Sequence, residues 1–520
     1  MPVPCWPPRD GDHLLVSGSQ MAELEQTLFE NGMPVEALME KAALAISQRL
    51  KQDDLWPQLQ QRGALVLVGP GHNGGDGLVV ARELHLAGIE VRLWCPFERR
   101  KPLTESHLRH ALWLGIPRLN RSPDPGDPAL WIDALFGIGQ HKALDASLEE
   151  LFEQRQQLCP GQLIAIDGPS GLCSDQGIPL GRGAACARLS LSIGMLKTGF
   201  LQDTALAWVG DLERIDLQLP APLLQRLPAT QPLALLGSDL PHAPWPQSPP
   251  AASKYERGRL LVIAGSEAYQ GAALLCLAGA SATGLGSLRA ALPKEIAAQL
   301  WSVQPHTVLA ARLGSRSDGS LQLAELRAEA LERLDAVVLG PGIGGALDSS
   351  EDQIWKRLQA FPGLLLLDAD GLNRLARRQA LPWLQGRQGP TWLTPHPGEF
   401  ARLFPHLAPL HPLEATAAAA REAHCAVLRK GARSLVACPS GQLWQLRSAC
   451  SASARAGLGD VLAGYAAGIG AQAQASGAGS GAELLAMAAL AHAQAGLIAQ
   501  GGTPLQIAEI LASTLRTSMF

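Results

Sequence analysis

The chain alternates short, continuously apolar runs with longer segments of helical character. Its first half contains the runs ALVLVG, VRLWC, ALWIDALFG, LIAIDGPSG and LSLSIG. Its second half contains RLLVIAGS, AVVLGPG, LLLLDADG, TWLTPHPGE and CAVLRKGA. Strands without polar alternation are buried on both faces, and parallel strands need crossover helices between them. The pattern therefore predicts α/β domains of the doubly wound type, each with a parallel sheet between helices.

A proline-rich stretch separates the two sets of runs. Nine prolines occur between residues 218 and 250, where they remove backbone donors and disfavour helix. A chain of 520 residues is long enough for two or three domains. We expect an N-terminal domain over residues 1–220, a linker over 221–250 and a C-terminal domain over 251–520.

Charge and cysteine usage argue against several classes of protein. The net charge is −4, from 43 basic and 47 acidic residues without a block of either sign, which disfavours a nucleic-acid or membrane-surface protein. Nine scattered cysteines without a CxxC pair predict reduced thiols in the cytoplasm. The N-terminus predicts no signal peptide. The uncharged segment 271–288 is rich in Gly, Ala, Ser and Thr, which favours a buried helix over a membrane span.

The glycine-rich turn GPGHNGGDG at 69–77 follows the first long apolar run. Ligands of doubly wound folds bind beyond the carboxyl ends of the strands. A turn of this kind at a helix start presents backbone N–H groups to an anion. Gly69, Gly71 and Gly74 also match the dinucleotide pattern GxGxxG, which is weak alone, and a purely structural turn is the alternative.

Polar residues follow other strands of the first half. Asn73, Asp133 and Ser170 each lie just past a strand end, and their oxygens suit a hard cation of low charge. Asp167, in IAIDGPSG, is the acid best placed to act as a general base. The alternative for Asp167 is a cap of the turn that contains Pro169.

These segments, with ALMEKAA at 37–43 and LKTG at 196–199, resemble the epimerase domain of the NAD(P)H-hydrate repair enzymes over residues 15–217. The resemblance implies interconversion of the R and S forms of hydrated NADH and NADPH. It implies a potassium ion on Asn73, Asp133 and Ser170, with Asp167 as the catalytic acid that contacts substrate. The implied hydrate-binding residues are His72, Asn73, Gly74, Gly75, Asp76, Gly137, Ile138, Gly139, Gln140, His141, Lys142 and Ala143. His72, Ile138 and Gly168 depart from the residues usual in the family.

The string GLGD at 457–460 precedes a helical run in the second half. Its amides can form an anion hole at the helix start, and Asp460 can deprotonate a hydroxyl that attacks phosphorus. An ordinary helix cap is the alternative. No GxxxxGK[ST] sequence is present, so we expect no P-loop grip on a nucleotide.

Four strings around GLGD resemble the ribokinase-like dehydratase domain of the same enzymes over residues 252–515: LVIAGSEAYQGAALL, VVLGPGIG, LTPHPGEFARL and LRKGA. The resemblance implies that ADP, with Mg²⁺, phosphorylates the hydrate hydroxyl and that loss of phosphate regenerates the ring. Asp460 would be the catalytic base and contact the hydrate, with Ala272, Gly344 and His396. ADP would be held by Lys430, Gly431, Ala432, Arg433, Ser434 and Gly459. A buried strand-end imidazole is the alternative for His396, and Arg455, Ala456 and Leu458 depart from the family's anion hole.

The interpretation is one chain that epimerises hydrated NADH and NADPH and then dehydrates the S form. A kinase for a small alcohol is the second enzyme hypothesis. A non-catalytic ligand-binding module in the N-terminal half is the third. We expect small-molecule partners only, no nucleic acid or membrane, and a cytoplasmic homo-oligomer.

Overall fold

The structure is a computed structural model that describes residues 6–52, 54–345, 349–450 and 454–518, with side chains as far as residue 513. Contacts divide the chain into two compact units. One unit is Arg9–Gln231, and the other is Pro232–Phe520 with the N-terminal stretch that ends at Pro8.

The division between the units falls inside the predicted linker. Residues 221–231 belong to the first unit and 232–250 to the second. The three residues Leu233–Leu235 form a buried strand of the second unit's sheet. The strand Leu233–Leu235 itself contains no proline, so the prolines of the stretch do not interrupt its hydrogen bonds.

The first unit is built on a parallel sheet. Its described residues form seven strands in the order β4-β3-β2-β5-β6-β7-β9, all paired in parallel, plus a small parallel pair β1-β8. The strands are β1 Leu15–Val16, β2 Ala64–Val68, β3 Val91–Trp94, β4 Arg118–Leu119, β5 Leu130–Ala134, β6 Leu163–Ile166, β7 Leu189–Ile193, β8 Leu196–Lys197 and β9 Asp211–Ile215. The helices are α1 Gly18–Glu30, α2 Val35–Leu50, α3 Trp56–Arg62, α4 His72–Leu86, α5 Pro102–Trp113, α6 Ala146–Leu158, α7 Leu206–Val209 and α8 Ala221–Leu224.

The second unit holds a larger sheet. The described residues form ten strands in the order β10-β19-β18-β17-β16-β15-β14-β11-β12-β13. The strands are β10 Leu233–Leu235, β11 Arg259–Ile263, β12 Ser287–Pro293, β13 Val308–Leu313, β14 Ala336–Leu339, β15 Leu364–Leu367, β16 Thr391–Leu393, β17 Ala426–Arg429, β18 Leu435–Ala437 and β19 Leu443–Leu446. The helices are α9 Gln270–Ala282, α10 Lys294–Val303, α11 Asp352–Ala360, α12 Ala369–Ala376, α13 Ala380–Gln385, α14 Pro397–Leu403, α15 Pro412–Ala423, α16 Leu458–Ala475, α17 Ala482–Ala499 and α18 Pro504–Ser518. Among the described strands of this sheet, only the pairs β17-β18 and β18-β19 are antiparallel.

The strand order fixes where each site can lie. In the first unit the chain runs from β2 to β3 and β4 on one side, then returns to β5 on the other. In the second unit it runs from β11 to β12 and β13, then returns to β14. A crevice opens beyond the strand ends at such a reversal of order. The two reversals place the turns after β2 and β5, and those after β11 and β14, at candidate sites.

All ten predicted strands are present, and the predicted α/β class is confirmed. The predicted helix over 271–288 is shorter than expected, because α9 ends at Ala282 and β12 begins at Ser287. Helix α17 is long and apolar enough to cross a membrane by length and composition alone, and 61% of it is buried inside the protein. That degree of burial is typical of a core helix.

Helix α16, which carries Asp460 in its first turn, packs closely on α9. A Cβ at Gly464 would lie 1.9 Å from the carbonyl oxygen of Cys276. A Cβ at Gly279 would lie 2.1 Å from the carbonyl oxygen of Val461. Neither separation leaves room for a side chain. Glycine at both positions therefore sets the distance between the helices and the position of the α16 N-terminus.

Candidate active sites

A cavity of about 470 Å³ lies at the strand reversal of the first unit. It is lined by residues from the start of α4, the turn after β5, the end of β6 and helix α1. The predicted hydrate-binding residues among them are His72, Asn73, Asp76, Gly137, Ile138, Gly139, Gln140 and Asp167. The structure thus brings these side chains and turns together, as expected from the strand ends.

Five other residues predicted at this site do not line the cavity. His141, Lys142 and Ala143 are exposed on the loop that follows Gln140. Gly74 and Gly75 are buried in the first turns of α4, where a Cβ would meet the Gly69 carbonyl and the Met39 side chain respectively. These two glycines allow close packing behind the turn, and the role of the three exposed residues in binding stays a prediction.

Asp167 is held from several directions. Its Oδ1 accepts hydrogen bonds from Lys197 Nζ at 2.7 Å and from the Ile193 amide at 3.2 Å. Its Oδ2 accepts from the Ile138 amide at 3.2 Å. The backbone of Asp167 has φ +65°, in the left-handed region that non-glycine residues rarely adopt. A residue that only caps a turn would not need this many hydrogen bonds to its carboxylate. Together these bonds fix the Asp167 carboxylate at the cavity wall.

Gly137 makes room for that carboxylate. A Cβ at position 137 would lie 2.8 Å from Oδ2 of Asp167 and 3.5 Å from the Asn73 Cβ. The turn after β5 therefore passes directly against two of the predicted site residues. Any side chain larger than glycine at this position would displace Asp167, Asn73 or both.

The predicted cation ligands are adjacent to this wall. Ser170 Oγ donates to Asp133 Oδ1 at 2.7 Å, and the Ser170 amide donates to Oδ2 at 2.8 Å. Burial raises the pKa of Asp133 to about 6, against these hydrogen bonds. Asn73 Oδ1 is buried without a hydrogen-bond partner among the described residues. A buried oxygen left without a donor is costly, and a bound cation would satisfy it.

The start of α4 is suited to an anion. Its N-cap residue, Gly71, has no side-chain capping bond, so backbone N–H groups and the positive end of the helix dipole face the cavity. Lys101 also lines the cavity. Burial and the nearby charge of Lys101 lower the pKa of His72, which keeps this imidazole neutral at physiological pH. Backbone amides and Lys101 therefore supply the positive field for phosphate groups.

The second site centres on the start of α16. Gly457 is the N-cap, with φ +92°, a conformation that favours glycine. A Cβ at Gly459 would lie 3.4 Å from Lys430 Nζ and 3.9 Å from Asp368 Oδ2. The predicted anion hole is therefore beside a lysine–aspartate pair. Burial and the charge of Asp368 raise the pKa of Asp460 to about 7, against the effect of Lys430.

Lys430 is the cation of this second cluster. Its Nζ lies 2.6 Å from Asp368 Oδ1 and 4.0 Å from Glu399 Oε2. Burial alone would lower the pKa of Lys430, but Asp368 and Glu399 raise it above its ordinary value. Thr394 also donates to Asp368 Oδ1, at 2.8 Å. One ammonium thus faces several carboxylates that lie just past β15 and β16.

The exposure of His396 decides between the two interpretations of this residue. Its side chain is 50% exposed, so the alternative of a buried imidazole is wrong. The residue is the N-cap of α14, and Nδ1 accepts from the Gly398 amide at 3.0 Å. Nε2 lies 3.2 Å from Glu399 Oε1. The helix start turns the imidazole outward, where a ligand can reach it.

The other predicted hydrate-binding residues lie near the β11–β14 reversal, Ala272 in the first turn of α9 and Gly344 in the turn after β14. The Gly344 amide donates to Asp370 Oδ2 at 2.8 Å, and the charge of Asp370 acts on Asp460. A Cβ at Gly342 would lie 2.8 Å from the Ala272 Cβ. The turn that contains Gly342 and Gly344 therefore contacts Ala272 on one side and Asp370, a carboxylate near Asp460, on the other.

The predicted ADP segment, residues 430–434, is the turn between β17 and β18. Ser434 Oγ accepts from the Gly431 amide and donates to the Gly431 carbonyl, both at 3.2 Å. Arg433 is buried, whereas Gly431 and Ala432 are exposed. The turn is closed by its own serine, and it starts at the lysine that reaches Asp368.

Both halves of the chain match known protein families. The family model described as NAD(P)H-hydrate dehydratase matches residues 260–513, and the model described as YjeF-related protein N-terminus matches residues 35–199. The bifunctional NAD(P)H-hydrate repair enzyme of Synechocystis is 41% identical over 487 residues, which are 93% of this chain and 90% of the relative. The chain belongs to the family of bifunctional NAD(P)H-hydrate repair enzymes. The member from Gloeobacter violaceus is 40% identical over 86% of this chain and 87% of its own.

Solved structures are similar to part of this family member. One is the ADP/ATP-dependent NAD(P)H-hydrate dehydratase from Bacillus subtilis, co-crystallised with ATP and Mg²⁺, at 23% identity and TM-score 0.45. It covers 55% of this chain and 98% of its own. A ribokinase-like superfamily protein from Enterococcus faecalis has 22% identity and TM-score 0.45, over 55% and 95% of the two chains.

Sequence reasoning did not assign several residues of this repair-enzyme chain that face the sites. In the first unit these are Glu25 and Lys101, which line the cavity, and the buried Lys197, which pairs with Asp167. In the second unit they are Asp368, Asp370 and Glu399. Asp368 and Asp370 follow an apolar strand in DADG, and Glu399 ends TPHPGE, so their position just past a strand was the available signal. Glu25 carries no such signal, because it lies inside a helix.

Proposed function

We propose that this chain repairs hydrated nicotinamide cofactors in two steps. The Arg9–Gln231 unit interconverts the R and S forms of hydrated NADH and NADPH. The Pro232–Phe520 unit dehydrates the S form at the expense of ADP, which gives NADH or NADPH, AMP and phosphate. The observation that carries the proposal is the pair of carboxylates at the two strand reversals, Asp167 against Lys197 and Asp460 against Lys430, in a chain that matches the bifunctional family along most of its length.

In the first unit, the start of α4 and Lys101 bind the phosphates of the substrate. Asp167 faces the hydrated ring and accepts the proton that must move when the hydrated carbon inverts. Oxygens of Asn73, Asp133 and Ser170 fit a potassium ion, because the set holds a single carboxylate and one buried oxygen without a donor. The ion would supply positive charge beside the substrate. Binding by His141, Lys142 and Ala143 is the part of this assignment that the cavity does not support.

In the second unit, Asp460 takes the proton of the hydrate hydroxyl as that oxygen attacks the β-phosphorus of ADP. Amides at the start of α16, including that of Gly459, stabilise the negative charge on the transferred group. Phosphorylation replaces hydroxide, a poor leaving group, with phosphate. Mg²⁺ is expected with ADP because it neutralises the charge of the phosphates. The turn over residues 430–434 holds the nucleotide, and Ala272, Gly344 and His396 hold the hydrate.

We also propose that the protein acts in the cytoplasm as a homo-oligomer and without nucleic-acid or membrane partners. The scattered cysteines and the net charge of −4 support the location and the small-molecule partners. Size-exclusion chromatography with light scattering tests the oligomeric state. A monomer at micromolar concentration would contradict it.

The deciding experiment follows absorbance at 340 nm after the protein is added to mixed R and S hydrate with ADP, Mg²⁺ and K⁺. Complete recovery of NADH is expected from the wild type. The Asp167→Asn variant should stop when the S form is exhausted, and the Asp460→Asn variant should give no NADH. Recovery that is absent in the wild type, or equal in wild type and Asp460→Asn, would contradict the dehydratase assignment. A small-alcohol kinase fused to a ligand-binding module would then be favoured.

A further inference from the structure

Helix α1 contributes one face to the cavity of the first unit. The side chains of Ala22, Glu25 and Phe29 line it, at spacings of three and four that place them on one side of the helix. Met21 and Leu24 on the adjoining side are buried in the core. The packing of α1 therefore holds the Glu25 carboxyl at the cavity, and none of the roles assigned above uses it.

The Glu25 carboxyl differs from that of Asp167 in its surroundings. Asp167 accepts hydrogen bonds from a buried lysine and two amides. Within the described parts of the chain, no hydrogen bond or ion pair holds the Glu25 carboxyl. Burial and then the charge of Asp167 raise the pKa of Glu25 to about 7, against the effect of Lys197. Near neutral pH, Glu25 can therefore carry a proton.

Other charged groups at the cavity do not offer the same proton. Burial, Asp167 and Glu25 together raise the pKa of Asp76 well above its ordinary value, which favours the protonated form of Asp76. His72 begins α4, and Lys101 is the N-cap of α5 on the same cavity wall, where the two residues serve the phosphates. The pKa of Glu25, raised to about 7, lies near neutral pH, which is the condition for efficient proton transfer.

Epimerisation at the hydrated ring carbon requires two proton transfers. A hydroxyl must leave as water, which requires a proton donor. Water must then enter from the other face of the ring, which requires a proton acceptor. A single carboxylate that is already paired with an ammonium can accept a proton but has none to give at the start of the cycle.

Resting on the proposed epimerase function, we propose that Glu25 is a second catalytic residue, which donates the proton to the departing hydroxyl while Asp167 receives the proton of the entering water. The C–O bond breaks with its electron pair in the leaving water, and the ring nitrogen lone pair forms a C=N bond. When water adds, the C=N π electrons return to nitrogen. One proton has then moved from Glu25 to Asp167. The reverse reaction moves it back, and exchange with solvent resets the site.

The test compares Glu25→Gln with Glu23→Gln, a substitution of an exposed glutamate on the same helix. R hydrate is incubated with each variant without ADP, and R and S forms are separated by chromatography. We expect Glu25→Gln to lower kcat about 100-fold or more, the usual size of a general-acid effect, with KM little changed. Glu23→Gln should match the wild type. Glu25→Asp should restore part of the rate, because it returns a carboxyl to the same wall.

Two further readouts separate a catalytic role from a structural one. ADP-dependent recovery of NADH from pure S hydrate, catalysed by the other unit, should be unchanged in Glu25→Gln. The pH profile of wild-type epimerisation should fall on the alkaline side of about pH 7, as the donor loses its proton, and Glu25→Gln should lose that limb. Wild-type rates in Glu25→Gln, or a slow variant with the same alkaline limb, would overturn the proposal. Absence of epimerisation in the wild type would instead contradict the proposed function itself.

Discussion

Lys197 Nζ lies 2.7 Å from Oδ1 of Asp167, and the lysine side chain has no exposed surface. The same ammonium donates to Ser192 Oγ and to the Ile193 carbonyl, so each of its protons has a partner. A buried ammonium is tolerated only when it is paired and hydrogen-bonded in this way. The pair therefore ties the Asp167 carboxylate to the end of β7 and makes its position depend on one residue of β8.

The first prediction concerns this pair. Lys197→Met leaves Asp167 buried without its cation, and breaking a buried pair costs about 3–5 kcal/mol. We expect the free energy of unfolding of the first unit to fall by that order and epimerisation to be lost. Dehydration of pure S hydrate should continue. Urea denaturation and the chromatographic R-to-S assay measure the two effects.

Lys101→Met is the matched control, because Lys101 lines the same cavity and has no buried ion pair among the residues that the structure describes. It should raise KM for the hydrate through loss of a phosphate contact and leave the unfolding free energy within about 0.5 kcal/mol of the wild type. Equal stability of Lys197→Met and the wild type would show that the pair is not structural.

The second prediction concerns pH in the dehydratase. Asp460 must be ionised to accept the hydroxyl proton, and its pKa is raised to about 7. The kcat/KM for S hydrate should therefore rise with pH through about 7 and fall tenfold per pH unit well below it. Lys430→Met removes the charge that lowers this pKa, so the limb should move to higher pH.

Lys254→Met, on an exposed residue of the same unit, should leave the pH profile unchanged. Initial rates at saturating ADP between pH 5 and 9 provide the measurement. A profile that is flat over this range in the wild type would rule out Asp460 as the base. An unshifted limb in Lys430→Met would show that the lysine does not act on Asp460.

The third prediction concerns potassium. Binding of K⁺ to the folded first unit should stabilise it by about 2.7 kcal/mol at a concentration 100-fold above Kd. Asn73→Ala removes the oxygen that has no donor, so it should abolish the response to K⁺ with little cost to the unfolding free energy without the ion. Thermal unfolding in KCl, with choline chloride at equal ionic strength as the control, tests this. The same shift in both salts would contradict a specific site.

The sequence predicted the strands well because each buried parallel strand is a continuous apolar run, such as ALVLV in β2. It also predicts that Asn73, Asp133 and Ser170 converge, because strand ends in one sheet meet at one edge. The structure joins Asp133 and Ser170 by a hydrogen bond of 2.7 Å, and a shared site with Asn73 stays a prediction. Strand β13 was not predicted, since its residues alternate between exposed and partly buried at the sheet edge.

Sequence patterns did not predict the residues whose positions depend on how the helices and strands pack. Glu25 reaches the cavity only because Met21 and Leu24 bury the adjoining face of α1. The proline-rich stretch looked like a linker because proline content does not show that Leu233–Leu235 pairs with β19. His396 faces outward because it caps α14, and the string TPHPGE does not reveal its exposure.

The fourth prediction concerns the contact between α9 and α16. A Cβ at Gly464 would lie 1.9 Å from the Cys276 carbonyl oxygen, so Gly464→Ala must push the helices apart. Overpacking of this kind costs about 1–3 kcal/mol or more. Because α16 carries Asp460 in its first turn, dehydration should slow along with the loss of stability, while epimerisation by the other unit should persist.

Gly271→Ala on α9 is the matched control, since a Cβ there has open space around it. Alanine is a better helix former than glycine by about 0.5–1 kcal/mol, so this variant should be as stable as the wild type or slightly more. Differential scanning calorimetry of both variants gives the comparison. Equal melting of Gly464→Ala and Gly271→Ala would mean that α9 and α16 can separate without cost, and that the α16 N-terminus is positioned by other contacts.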